Sequence, residues 1–156
     1  AVGVGCGIDF RGMFMKIAVC SDHRGFELKC QLTKKMKDNG ISFEDYGCFS
    51  DQRCDYPVFA LKVGEAVKNK ICDLGIVICG SGDGVCVSAN KVKGIRAAHV
   101  TDTFSARMTK EHNDANVICM GERITGIEIA LEMVEAYRKA EFQGGRHAIR
   151  VGKIEE

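Results

Sequence analysis

Leu74-Gly75-Ile76-Val77-Ile78-Cys79 contains no charged or amide side chain, and it runs straight into Gly80-Ser81-Gly82-Asp83-Gly84. A run that is apolar on both faces suits a strand in the middle of a parallel sheet, where helices cover both sides. The glycine-rich stretch behind it is then a sharp turn from strand into helix. From Met15 onward the chain repeats the same alternation of short β-rich runs and helically periodic segments, which predicts an α/β fold around a central parallel sheet.

The first run, Lys16-Ile17-Ala18-Val19-Cys20, ends at Ser21-Asp22-His23. It leads into Phe26, Cys30 and Leu32 spaced among lysines, a helix that stops at Asn39-Gly40. A second strand is predicted over residues 41–46 and a polar loop over 47–56. Pro57 then opens a helix through Val58, Leu61, Val63 and Val67, since proline is tolerated in a first helical turn. Residues 95–100 and 116–120 read as strands with a helix over 103–111 between them. Residues 126–140 form the strongest helical pattern, with Ile127, Leu131, Val134 and Tyr137 on one face. The tail, 144–150, is too basic and too glycine-punctuated for simple core.

With 156 residues, 46% hydrophobic and 28% charged, the chain fits one folded domain over residues 15–156. Twenty-two basic against 21 acidic side chains leave a net charge of +1, which predicts neither a nucleic-acid coat nor a membrane-surface protein. An anionic ligand must be gripped locally. Nine cysteines at irregular spacings, with no C-x-x-C pair, argue against a zinc site and a disulfide framework and for a reducing cytosol. No apolar stretch reaches the roughly 18 residues of a membrane span. Residues 1–14, glycine-rich, look like neither signal nor anchor and read as an extension or an added segment.

Ligands of an open parallel sheet gather at the carboxyl ends of its strands. The residues placed there are polar: Asp22 and His23, the 79–84 segment, His99, and the 121–123 segment ending in Arg123. The 80–84 loop can form an anion nest from its amides, although it matches neither the dinucleotide nor the P-loop pattern; alone, it is equally a tight turn. Cys79 read by itself is a small apolar filler. At the mouth of an amide nest, it becomes a candidate base or nucleophile, with Asp83 expected to point away from it. His112, beside Asn113 at a helix end, is either a helix-dipole partner or a proton shuttle. Arg146 and Arg150, four apart, share one side of any helix formed there; they make either a solvated basic face or a phosphate clamp. Together, a thiol, an imidazole, an amide nest and paired arginines, with no metal cage and no cofactor fingerprint, suit a reaction of proton transfer alone. Aldose–ketose isomerisation of a sugar phosphate is such a reaction.

The same residues carry a resemblance. Asp22-His23 with Gly25-Phe26 and Lys29, Asp55-Tyr56-Pro57, Ile78-Cys79-Gly80-Ser81-Gly82, Ala89-Asn90-Lys91, Gly94-Ile95-Arg96-Ala97, His112-Asn113-Asp114 with Asn116-Val117, and Gly144-Gly145-Arg146-His147 with Arg150 follow one another from Met15 to about Val151. In that order they resemble type B ribose-5-phosphate isomerases, a family that also holds galactose-6-phosphate isomerase subunits. The resemblance implies a Rossmann-like three-layer sandwich, a homodimer or dimer of dimers with active sites shared between subunits, and no metal or cofactor. It further implies Cys79 as the base between C1 and C2, and Ser81 with the amides of Gly80, Gly82, Asp83 and Gly84 as the enediolate cradle. His112 is implied as the ring-opening residue, Asp22, Tyr56 and Asn113 as contacts to sugar hydroxyls, and His23, Arg123, Arg146 and Arg150 as contacts to substrate and phosphate. Some relatives place a glutamate base just beyond the loop, where this chain has Val85. Asp83 departs from the apolar or amide residue of the family pattern, and His99 and His147 have no implied role.

Two other readings stand beside this one. One is a hexose phosphate in place of the pentose, a choice that depends on pocket depth. A flavodoxin-like, non-catalytic module for a phosphorylated metabolite would leave Cys79, His112 and the paired arginines without a joint purpose.

Overall fold

Five strands form one parallel sheet: β1 (Lys16–Ser21), β2 (Ser42–Asp45), β3 (Leu74–Cys79), β4 (Ala97–His99) and β5 (Val117–Gly121), in the order β2-β1-β3-β5-β4. The computed structural model describes residues 15–156, and residues 1–14 lie outside the described residues. Six helices accompany the sheet: α1 (Phe26–Asp38), α2 (Tyr56–Lys68), α3 (Asp83–Ala89), α4 (Thr103–Asn113), α5 (Ile127–Lys139) and α6 (Arg146–Ile154). The architecture is α/β, with the apolar run of β3 at the centre, as its sequence predicts.

Successive side chains on each strand point to opposite faces, and the two faces differ in bulk. Ile17 and Val19, Ile76 and Ile78, and Ile118 and Met120 pack with Leu28 and Leu32 of α1 and Met133, Val134 and Tyr137 of α5. Ala18 and Cys20, Val77 and Cys79, and Val117 and Cys119 pack with Ala60, Val63 and Val67 of α2 and Val85 and Ala89 of α3. The helices sort this way because parallel crossovers are right-handed. The step from β1 to β2 puts α1 on one face, and the reverse step from β2 to β3 puts α2 on the other.

Of the boundaries that differ from the sequence reading, three have a visible cause. Residue 41 stays out of β2 because the Ile41 amide donates to Met36 O (2.8 Å) and closes α1 instead. The strand expected over 95–100 shrinks to three residues, since Ile95 N turns back to Val92 O (3.1 Å) and Arg96 N is taken by Asn116 Oδ1 (2.8 Å). Helix α4 runs two residues further than expected, through His112 and Asn113, to an Asp114 in the left-handed region (φ 47°).

Candidate active site

The chain leaves β1 for β2 on one side and returns across it to β3 on the other, so the carboxyl ends of β1 and β3 mark the switch point where open α/β sheets bind ligands. A cleft of about 580 Å³ opens there. Cys79, the last residue of β3, lies on its wall. The thiol is almost buried, and the Gly82 amide donates to its sulfur at 3.1 Å. That hydrogen bond requires the loop to double back over three residues, which Gly82 allows with φ 87°. A Cβ there would also stand 2.7 Å from His99 Nε2. The exit from β5 locks the loop from behind: Glu122 N donates to Cys79 O (2.9 Å) and Arg123 N to Gly80 O (3.1 Å).

Ser81 and Gly80 also line the cleft, and Ser81 Oγ accepts from Asp83 N at 3.2 Å. Tyr56, the first residue of α2, lays its ring against Gly84; a Cβ at 84 would meet that ring at 2.7 Å. Asp22 is buried at the end of β1, where one carboxylate oxygen accepts from Arg24 N (2.9 Å) and Gly25 N (3.0 Å), so the start of α1 fixes it on the wall. His23 Nδ1 accepts from the Cys54 amide at 3.2 Å, which places the proton of a neutral ring on Nε2.

Three guanidinium-bearing residues face this space. Arg123 is the one the sequence singles out; Arg24 and Arg53 line the cleft as well, with Cys54, Asp55 and Ile124. Arg24 was legible as the residue following Asp22-His23 at a strand end. Arg53 and Cys54 carried no such signal, because the 47–56 loop is placed only by its return past β1, where Ser21 N donates to Gly47 O (2.7 Å) and Cys48 N to Ser21 O (2.8 Å).

The other expected site residues do not line this cleft in the single chain. Asp83 turns to His99, whose Nδ1 lies 2.9 Å from Asp83 Oδ1. His112 stacks on the buried His147, ring centroids 4.2 Å apart and planes 7° apart. Burial, His112, Arg146 and Arg150, in that order, hold the His147 imidazole below its usual range. Asn113 borders a separate groove with Arg96, Ala97 and Ile154. Arg146 and Arg150 lie exposed on α6, whose only buried residue is His147. The structure thus divides the expected residues into two constellations: Asp22, His23, Tyr56, Cys79, Gly80, Ser81, Gly84 and Arg123 around the cleft, and His112, Asn113, Arg146 and Arg150 where α4 meets α6. Among the described residues, no cluster of three or more His, Cys, Asp or Glu side chains is arranged to hold a metal ion. No described helix is long and apolar enough to cross a membrane.

Residues 17–154 match the Ribose/Galactose Isomerase family. The chain is 42% identical over 139 residues to ribose-5-phosphate isomerase B of Escherichia coli K12, covering 89% of this chain and 93% of that one. Its fold superposes on ribose-5-phosphate isomerase B of Clostridium thermocellum with a TM-score of 0.88 and 53% identity, over 90% of this chain and 95% of the other. The Mycoplasma genitalium enzyme, solved with bound ribulose-5-phosphate, gives a TM-score of 0.85 at 41% identity, over 92% and 95%. Over about nine-tenths of its length the chain is this similar to isomerases in sequence and fold, and it belongs to the ribose/galactose isomerase family.

Proposed function

We infer that the chain interconverts D-ribose 5-phosphate and D-ribulose 5-phosphate by moving one proton between C1 and C2 through an enediolate. The observation that carries this reading is the Cys79 sulfur at the cleft wall, held by the Gly82 amide at 3.1 Å. A base fixed beside amide donors can take the proton from C2 and return it to C1, while the charge that forms on the oxygens meets the amides of the 80–84 loop and the Ser81 hydroxyl. Tyr56 and Asp22, which also line the cleft, hold sugar hydroxyls, and His23 presents its Nε2–H to the substrate. Arg123 contributes positive charge at the mouth of the cleft.

Ring opening and phosphate binding fall to His112, Asn113, Arg146 and Arg150, which lie outside the chain's own cleft. The working enzyme is therefore a homodimer, or a dimer of dimers, in which the α4–α6 corner of one protomer completes the cleft of the other. Exposed Ile149 and Ile154 on α6, an apolar surface left open among the described residues, support this arrangement. The roles named here need no metal or cofactor. All eight described cysteines are free thiols, which suits the reducing cytoplasm as the place of action.

The test is turnover of ribose 5-phosphate and solvent exchange of its C2 proton, measured for the wild type and Cys79→Ser, with galactose 6-phosphate as the competing substrate. Removing the base is expected to cost roughly 10²–10⁴-fold in kcat. Full-speed catalysis by Cys79→Ser overturns the thiol mechanism, and a preference for the hexose phosphate overturns the substrate.

A further inference from the structure

The Asp83 side chain and His99 take no part in the chemistry inferred above, and the structure joins them to each other. His99 Nδ1 lies 2.9 Å from Asp83 Oδ1. The other ring nitrogen, Nε2, is buried and has no hydrogen-bond partner among the described residues. A proton there would be a buried donor left unsatisfied, so the ring carries its proton on Nδ1 and donates a hydrogen bond to the carboxylate. His99 is thus a fixed donor, presented from the edge strand β4 to the first residue of α3.

We propose that His99 is a positioning residue for the isomerisation: its grip on Asp83 holds the Gly82 amide on the Cys79 sulfur. An amide stabilises charge in a reaction only if its direction is set before the charge develops. Gly82, with φ 87° and no side chain to pack, brings no stiffness of its own. The front of the loop is fixed from outside, by Glu122 N on Cys79 O and Arg123 N on Gly80 O. The amides at its back bond within the loop, Gly82 N to Cys79 Sγ at 3.1 Å and Asp83 N to Ser81 Oγ at 3.2 Å. His99 supplies the outside anchor for this half. Its ring packs against Gly82, where a Cβ would stand 2.7 Å from Nε2 and 2.9 Å from Cδ2, and its Nδ1–H takes the next side chain along.

The anchor is itself held. His99 pairs with Cys119 of β5, and Val100 N donates to Cys119 O at 3.0 Å. The far end of α3 is clipped to the same strand: the side chain of Asn90, which follows the helix, accepts from Ala97 N (2.8 Å) and donates to Ala97 O (2.9 Å). A helix of seven residues is therefore tied to β4 at both ends, and the tie at its start passes straight into the catalytic loop. This gives a joint purpose to Asp83, which departs from the family pattern, and to His99. The effect on turnover rests on the role inferred above for Cys79 and its loop; the grip on Gly82 does not.

The experiment compares the full-length wild type with His99→Leu, which fills the space without the hydrogen bond, and His99→Asn, which puts an amide nitrogen where Nδ1 stands. Amide hydrogen exchange is followed by NMR at Gly82 and, as the reference for global stability, at Ile76, Val77 and Ile78 of β3; kcat and KM are measured with ribose 5-phosphate. In His99→Leu the protection of the Gly82 amide should fall several-fold while β3 stays protected, and kcat should drop about tenfold, the order of one hydrogen bond to a charged group, with KM within about twofold. His99→Asn should restore both. Gly82 protection unchanged in His99→Leu, or lost there only in step with β3, overturns the positioning role whatever happens to turnover. Gly82 protection lost at full kcat overturns the link to catalysis, and His99→Asn behaving like His99→Leu overturns the hydrogen bond as its cause. Should His99→Leu fail to fold, Asp83→Ala cuts the same bond from a side chain that is 71% exposed, and the same losses are expected.

Discussion

His147 has no implied part in the chemistry, yet its burial shows what a single residue does here. Its ring forms the surface on which His112 stacks, so it sets where that imidazole points. Burial, His112 and the two arginines all disfavour its charged form. The unfolded chain accordingly takes up this proton first as the pH falls. The stability that the neutral ring contributes is complete above its ordinary value of 6.5 and is lost progressively below it. Urea unfolding of the wild type between pH 7 and pH 5 should show the midpoint dropping, and His147→Phe, which keeps an aromatic surface, should flatten part of that drop. An unchanged slope in the variant would assign the acid sensitivity elsewhere. Lys29 is a buried charge, and it is fully paired. Its Nζ meets Asp45 at 2.8 Å and donates to Cys48 O, beneath the rings of Phe26 and Phe49 at 5.6 and 5.1 Å. It thereby fastens the start of the 47–56 loop, which brings Arg53 and Tyr56 to the cleft.

Among the elements, α3 and α6 matter most to function, and they are short for different reasons. Helix α3 lies on the face of the sheet built from Ala, Val and Cys, where small side chains let it approach closely; cysteine is there largely as a compact apolar residue. This accounts for Cys20, Cys79 and Cys119 as one layer and explains part of the high cysteine count. Helix α6 packs mainly on α4 and displays Arg146 and Arg150 to solvent. A clamp on a phosphate, remote from the reacting carbons, supplies binding that is equal in ground and transition states. Arg146→Ala should therefore raise KM for ribose 5-phosphate roughly 10–100-fold, the loss of a charge-assisted hydrogen bond, with kcat nearly unchanged. Steady-state kinetics check this, and a collapse of kcat at constant KM would remove Arg146 from the phosphate site.

For the whole molecule, the proposed division of the site into a cleft half and an α4–α6 half on partner chains makes a prediction about mixing. Chains carrying Cys79→Ser and chains carrying His112→Ala should each be inactive alone. Refolded together in equal amounts, half of the dimers are mixed, and a mixed dimer has one intact site and one doubly defective site, so activity returns to about a quarter of wild type. Mixtures that stay inactive would place both halves on one chain.

Strand and helix order, the central β3 and the glycine loop were legible in the sequence because burial on both faces and helical periodicity are local properties of residues 16–20, 74–84 and 126–140. Cys79, Ser81, Asp22, His23 and Arg123 were legible as candidates because each lies at or just past a strand end, and strand ends are where open parallel sheets bind ligands. His112 and the Arg146–Arg150 pair were legible from a helix end and a spacing of four, and the resemblance joined them with Asn113 as one set. What the tertiary structure decided was which of these meet. Arg24, Arg53 and Cys54 join the cleft through the fold of the 47–56 loop. Asp83 is drawn off by His99, a residue 16 positions away on the edge strand β4. His112, Asn113, Arg146 and Arg150 do not line the cleft of their own chain. Local sequence sets the strength of each element, but the crossing of the chain at β1 and β3 sets the distances, and chemistry depends on distances.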